Sequence, residues 1–418
     1  MAGFQRCGPL RRLRYMRRVF CLLAMAGVMT CSVACGSRAP GGASHSADGT
    51  GTRGTPGTAA TAGRAAALAG SPLAGWFLMD LTWVSDERGW ALAAAPCGRH
   101  LCPRLASTTD GGRTWTTLPA PPGCAARMGC ISHVRFATAT VGYLSGPALF
   151  QTGDGGRSWH RVPSRPVEAL EPSSGTVVRV VYDHTGCPGP CNRTVQETTA
   201  GSAAWHAVLR IPALFSSGVA AQLIRQGALV NYIPVYGHVA GGALHAYTTI
   251  FRSTDGGATW QTLPDPCRGI GPREHDTSGL AAAPGGFAAV LCPPRSGTGT
   301  TFVRTSADNG STWGPPRAVP GGTGDYLSLI AAASAAHLVL ATPGFDGSGP
   351  VTYHLLASAD GGRHWSIAVS GTAQLDLRAP RAAFLGFEDA TVGRWISDEH
   401  DIWTTRDAGQ HWHERAFT

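Results

Sequence analysis

Two groups of acidic residues in this chain could do chemistry. One is a cluster near the C-terminal end, Glu388, Asp389, Asp398, Glu399 and Asp401. A pair of carboxyl groups flanking a glycosidic bond suffices for hydrolysis, one as the acid and the other as base or nucleophile. The plainer reading is that acidic residues in turns are solvated loop residues. The other group is Asp110, Asp154, Asp255, Asp308, Asp360 and Asp407, each set in the pattern S/T-x-D-x-G-x-S/T-W or a close variant. A reaction needs one constellation, whereas a residue repeated at intervals serves architecture. Metal chemistry is disfavoured. The spacings at Cys97/Cys102, Cys124/Cys130 and Cys187/Cys191 miss the C-x2-C knuckle of a zinc site, and His133 and His184 show no regular ligand spacing. No catalytic, metal or cofactor residue is assigned.

The elements that carry these aspartates repeat. Clear boxes end at Trp115, Trp159, Trp260 and Trp313, and looser ones, with His364 and His411 in the seventh place, end at Trp365 and Trp412. The spacing doubles between Trp159 and Trp260, and Thr198–Trp205 fits there as a copy that has lost its Asp. The seven tryptophans are 44, 46, 55, 53, 52 and 47 residues apart, a period that marks a propeller or solenoid. Within a box, the Asp accepts hydrogen bonds from nearby backbone N–H groups and closes the turn, while glycines supply φ > 0. The Trp then buries its ring, contributing at most roughly 4–6 kcal/mol. Before the boxes, an apolar or aromatic run leads to Gly and another aromatic. It reads Leu81-Thr82-Trp83-Val84 then Gly89-Trp90, Val134-Arg135-Phe136 then Gly142-Tyr143, and Ala383-Phe384-Leu385 then Gly393-Arg394-Trp395. Short runs punctuated by Gly and Pro predict about four antiparallel strands per repeat. The expected fold is all-β: a seven-bladed β-propeller with four-stranded blades and a box at each hairpin. First and last repeats carry full strand sets, so closure joins complete blades.

Residues 1–35 read as an export signal, with Arg6, Arg11, Arg12, Arg14, Arg17 and Arg18 before an apolar run from Val19 to about Val33. The run is short for a membrane span. Ser32-Val33-Ala34-Cys35 is similar to the lipobox of bacterial lipoproteins, which makes Cys35 the lipid attachment candidate; Ser32 stands where an aliphatic residue is usual. Ordinary cleavage after Ala34 is the alternative, giving a freely secreted protein. Arg17-Arg18-Val19-Phe20 faintly resembles a twin-arginine signal. Residues 36–72, rich in Gly, Ala, Ser and Thr, form a flexible tether, and residues 73–418 form the propeller. The expected location is the outer face of the cell membrane or the exterior.

The formal charge of +8 belongs to the leader. Residues 1–72 hold nine Arg and one acidic residue, Asp48, whereas residues 73–418 hold 25 Arg and 25 Asp plus Glu. A neutral domain has no field for nucleic acid. Eight cysteines remain after residue 35, falling by proximity into Cys97/Cys102, Cys124/Cys130, Cys187/Cys191 and the more distant Cys267/Cys292. Disulfides suit an exported domain, although eight cysteines permit 105 pairings.

The boxes resemble the Asp-box (BNR) repeat of sialidase-superfamily propellers. The aromatic–Gly–aromatic lead-in followed by T-x-D-G-G-x-T-W is most similar to exported seven-bladed propellers related to the photosystem II stability/assembly factor. That resemblance spans about residues 73–418 and implies a fold more than a function. A sialidase would be implied to have three arginines gripping a carboxylate, a Tyr–Glu nucleophile pair and an Arg-Ile-Pro motif ahead of the first box. Arg210-Ile211-Pro212 is present, but after the third box, where a chance tripeptide in an outer strand is the plainer reading. Tyr232, Tyr236, Tyr326 and Tyr353 are the candidates for the tyrosine, and none has an assignable Glu and arginine trio. The preferred expectation is a non-enzymatic, monomeric scaffold. It binds a protein or glycan across one face and meets the membrane through a lipid anchor. The alternative is an exo-acting, sialidase-type glycoside hydrolase. The stretches around Asn231–Tyr247 and Cys267–Gly279 could shape the binding face, or serve as ordinary connectors.

Overall fold

The computed structural model describes residues 72–121, 131–183, 192–212, 222–227, 229–233, 235–240, 243–271, 275, 277–294, 299–323, 328–344, 351–373, 384–397 and 400–417. By compactness the chain divides into Met1–Thr55 and Pro56–Thr418, and every described residue lies in the second unit. The predicted leader, Cys35, most of the tether, and Cys124, Cys130, Cys187 and Cys191 lie outside the described residues.

All regular structure among the described residues is β. Among the described residues, seven four-stranded antiparallel sheets follow one another along the chain. The first comprises Phe77–Trp83, Gly89–Cys97, His100–Thr108 and Thr116–Leu118; the second His133–Phe136, Gly142–Ser145, Leu149–Thr152 and His160–Val162. The third comprises Val167–Ser173, Thr176–Tyr182, Arg193–Thr199 and His206–Ile211; the fourth Gln222–Gln226, Leu229–Ile233, Ile250–Ser253 and Gln261–Leu263. The fifth comprises Gly279–Ala283, Phe287–Cys292, Thr300–Ser306 and Arg317–Thr323; the sixth Leu329–Ala332, Leu338–Gly344, Val351–Ser358 and Ser366–Ala373. The seventh is Leu385–Phe387, Gly393–Ile396, Asp401–Thr405 and His413–Ala416. Strands pair in chain order within every sheet except the fourth. There a two-stranded ribbon, Val235–Ala240 with Ala243–Thr248, is inserted between the second and third strands, overlapping the Asn231–Tyr247 stretch and ending one residue beyond it. The first and last sheets are each built from one continuous stretch, as the full strand sets at both ends predicted.

Each sheet buries its two faces against its neighbours. The first strands of consecutive sheets lie side by side from the first to the seventh. Seven apolar clusters fill the seams, and each contains one box tryptophan. In the seam between the seventh sheet and the first, Ile396, Ile402 and Phe417 pack with Leu73, Leu78, Leu81 and Trp115. Trp115, Trp159 and Trp412 are buried, whereas Trp205, Trp260, Trp313 and Trp365 are half-buried, so the full-burial energy is an upper bound.

The Gly of the lead-in has a steric reason. Gly142 pairs across strands with Phe136, and a Cβ added to it would sit 2.5 Å from the Phe136 ring. Gly89 and Trp83 are related in the same way. In the last repeat the aromatic over Gly393 is Phe387, not Phe384, which corrects the sequence register by three residues; Phe384 packs instead in the seam with the first sheet. Cys97–Cys102 closes the hairpin between the second and third strands of the first sheet, and Cys267–Cys292 ties the connector before the fifth sheet to that sheet's second strand.

Candidate functional site

Each box sits in the turn between the third and fourth strands of its sheet. In the second sheet, Thr152 Oγ1 donates to Asp154 Oδ1 (2.7 Å) and accepts from the Gly156 N–H (3.0 Å). The Ser158 N–H donates to Asp154 Oδ1 (2.9 Å) and its hydroxyl to Oδ2 (2.6 Å). The same arrangement surrounds Asp110, Asp255 and Asp308. At Asp360 and Asp407 the seventh-place histidine replaces the hydroxyl, with His364 Nδ1 at 2.5 Å and His411 Nδ1 at 2.6 Å from the carboxylate. Both carboxylate oxygens thus have partners inside the turn. The Ser158 hydroxyl at Asp154, the Ser253 hydroxyl at Asp255, the Thr312 hydroxyl at Asp308 and the His364 N–H at Asp360 hold these carboxyls below the usual range. At Asp110 burial pulls the other way, but the bonds from Thr114 and Thr108 prevail and bring the pKa to about 2. The third copy lacks the Asp, and Thr198 Oγ1 donates instead to the Ala204 carbonyl (2.6 Å).

The preceding sheet reaches across several seams to hold the next box. Trp90 Nε1 donates to the Gly155 carbonyl (3.0 Å), and Gln151 Nε2 to that of Gly201 (2.6 Å). Arg252 Nη1 donates to the Asn309 carbonyl (2.9 Å) and Ser311 Oγ (2.6 Å), and Arg317 Nη1 donates to the Gly361 carbonyl.

The carboxylates near the C-terminus do not share one setting. Glu388 is buried, with Oε1 3.7 Å from Arg394 Nε; burial pushes its carboxyl up to about 8 while Arg394 opposes the rise. The fully buried Arg394 guanidinium lies 4.2 Å over the Trp83 ring and donates to the Asp86 carbonyl (2.8 Å), so it bridges the seventh and first sheets. Asp389 accepts from the Val392 N–H (2.8 Å) and from Thr391, bonds that hold its carboxyl low in a local turn. Asp401 is buried at the start of a strand. Asp398 and Glu399 lie outside the described residues. Arg210 is exposed on the fourth strand of the third sheet, paired with Thr194. Tyr353 lies in the third strand of the sixth sheet with its ring 5.3 Å from Trp395. For Tyr232 and Tyr236 only the strand backbone is described, and Tyr326 lies outside the described residues.

The strongest convergence of charge involves residues the sequence did not single out for chemistry. Asp80, Arg135 and Glu171 stand on the first strands of the first three sheets. Arg135 Nη1 donates to Asp80 Oδ2 (2.6 Å) and Nε to Glu171 Oε1 (2.6 Å). Asp80 Oδ2 also accepts the Val134 N–H (3.0 Å), and His133 Nδ1 lies 3.4 Å from it. Burial works against the Asp80 charge, but Arg135 and His133 hold its carboxyl low; burial raises that of Glu171 despite Arg135. Chemically this is a guanidinium between two carboxylates, bonded to both. His133 is the most exposed of the four, with Glu171 next, so that edge can meet a polar partner. The available signal is a charged residue inside each of these first strands, Asp80, Arg135 and Glu171. It is masked because Arg135 sits within the Val134-Arg135-Phe136 core signature. Among the described residues no group of three or more His, Cys, Asp or Glu side chains could hold a metal ion.

No protein-family model and no curated protein matches this chain. Among solved structures it is similar to a family PL25 polysaccharide lyase, an ulvanlyase, at 10% identity over 80% of this chain and 92% of that chain, with a TM-score of 0.51. It is also similar to an ancestral GH74 enzyme at 12% identity, over 82% of this chain and 46% of that one, with a TM-score of 0.51, and so spans about half that enzyme's length. YCF48 from Cyanidioschyzon merolae aligns at 15% identity over 80% of this chain and 94% of its own, with a TM-score of 0.44. Together with the succession of four-stranded antiparallel sheets, the likenesses to the ulvanlyase and the GH74 enzyme define a β-propeller. At such identities they speak for fold alone.

Proposed function

We propose that the chain is an exported, non-enzymatic propeller of seven Asp-box blades, anchored through a lipid on Cys35 and tethered by residues 36–72. It holds a protein partner at the cell surface. The observation that carries this reading is the internal use of the repeated carboxylates: both oxygens of the six box aspartates accept bonds from their own turns. The first-strand charges are likewise bonded to one another across neighbouring sheets. Groups so engaged stiffen a surface and are themselves occupied as acids or nucleophiles. The seven seams, including the one joining the seventh sheet to the first, support a closed ring of seven blades, and the mixed polar edge at His133 and Glu171 supports binding on the first-strand side.

The test is purification of the tagged full chain from detergent-solubilised membranes after crosslinking. A recurrent stoichiometric protein partner is expected. The same preparation is assayed with fluorogenic sialosides and aryl glycosides, and turnover abolished by Arg210→Ala would replace the scaffold with the glycosidase alternative. Incorporation of labelled palmitate, lost in Cys35→Ser, is expected for the anchor; equal labelling of both proteins sinks that part.

A further inference from the structure

We propose that the seam between the fifth and sixth sheets is a binding site for a small oxyanion-bearing ligand. The group recognised is a carboxylate or sulfate carried on a body of about monosaccharide size. A solvent-open cavity of about 530 Å³ lies there, and Phe287, Arg317, Arg363 and Ala335 are among the residues that line it. Its volume lies in the range of small-molecule sites.

The space has a local cause. In the other six sheets the residue after the box tryptophan begins the fourth strand: Thr116, His160, His206, Gln261, Ser366 and His413. After Trp313 comes Gly314-Pro315-Pro316, and the strand starts only at Arg317. Gly314 still donates to the Thr305 carbonyl (2.8 Å), but it carries no side chain, and the two prolines remove two backbone donors, so the ladder is interrupted before Arg317. Arg304 ties this segment to its own sheet, donating to the carbonyls of Trp313 (3.0 Å), Gly314 (2.7 Å) and Pro266 (2.6 Å). Opposite it, the turn of the sixth sheet presents Ala335 and Ala336, where the matching turn of the first sheet has Asp86 and Glu87 and that of the seventh Ala390 and Thr391. Small residues therefore face this part of the seam from the sixth sheet, and Gly314 from the fifth.

The charges facing the cavity select the ligand. Arg317 gives one N–H to the Gly361 carbonyl, which fixes its guanidinium in the lining. Arg363 gives one to the Asp360 carbonyl (3.0 Å). A guanidinium has five donors, so each keeps an unused edge for an oxyanion. Asp360 is the one carboxylate in the lining, and its oxygens are engaged by Ser358, Arg363 and His364 within the box. Two cations against one occupied anion favour an anionic guest, while Phe287 and the alanines accept its apolar face.

The experiment is calorimetric titration of the purified full chain with D-glucuronate, inorganic sulfate and, as neutral control, D-glucose. Glucuronate or sulfate is expected to bind and glucose not; which of the two binds tighter distinguishes carboxylate from sulfate recognition. Arg363→Ala, at an exposed position, and Ala335→Glu, which places a carboxylate in the lining, are each expected to weaken the anion at least tenfold with an unchanged melting temperature. Binding of glucose as strong as that of the anions, no binding of either anion, or anion affinity unmoved by both variants would overturn the assignment.

Discussion

The ring of Phe136 lies on Gly142, its partner on the neighbouring strand, and leaves no room for a methyl group there. The aromatic contributes to the seam filled by Trp90 and Trp159, stacking on Trp90 at 3.6 Å between ring centroids. A side chain on Gly142 would therefore force the ring off its stack. Gly142→Ala is expected to cost about 1–3 kcal/mol, the usual penalty of overpacking. Combining it with Phe136→Leu should recover part of that loss, because the smaller side chain frees the space. Chemical denaturation of the three proteins checks this; additive losses would refute the steric account.

The box aspartates make stability fall in acid. Their folded pKa values lie below the unfolded value of 3.8, to about 2 for Asp110. Their contribution is thus complete above pH 3.8 and disappears as pH falls through the folded values. Acid unfolding followed by tryptophan fluorescence should be steep below pH ~4, and Asp110→Asn should make it shallower. An unchanged acid profile would mean that the turn does not depend on the charge.

Glu388 has the opposite sign. Its folded pKa is raised from 4.5 to about 8 by burial, so its contribution is present below pH 4.5 and lost as pH rises to about 8. Melting temperatures measured from pH 5 to pH 9 should fall for the natural protein relative to Glu388→Gln. A constant difference between the two across that range would show that the carboxyl does not titrate in the folded seam.

Ala408 occupies the left-handed region with φ 60°, at the box place where other copies have Gly or Asn. Ala408→Gly should relieve a backbone cost of roughly 1 kcal/mol and raise the melting temperature, offset in part by chain entropy. A lower melting temperature would show that burial of the Ala408 methyl outweighs the strain.

Much of the architecture could be read from the chain because it repeats. The box is closed by hydrogen bonds spanning four residues, and those bonds depend on residue types at fixed offsets. The degenerate copy at Thr198–Trp205 could be placed for the same reason: its Trp keeps register in a seam even without the Asp. In the last repeat Phe384 and Phe387 are both aromatics before a Gly, and only the strand pairing of Phe387 with Gly393 distinguishes them.

What the sequence determined alone was local: repeated turns, strands of a few residues between them, and a tryptophan per repeat to bury. What only the tertiary structure decided were contacts between repeats. Arg135 meets Asp80 and Glu171 across 55 and 36 residues, and Arg394 reaches Asp86 across 308. Such partners are set by which sheet faces overlap and how deeply each charge is buried, and no offset along the chain encodes that geometry.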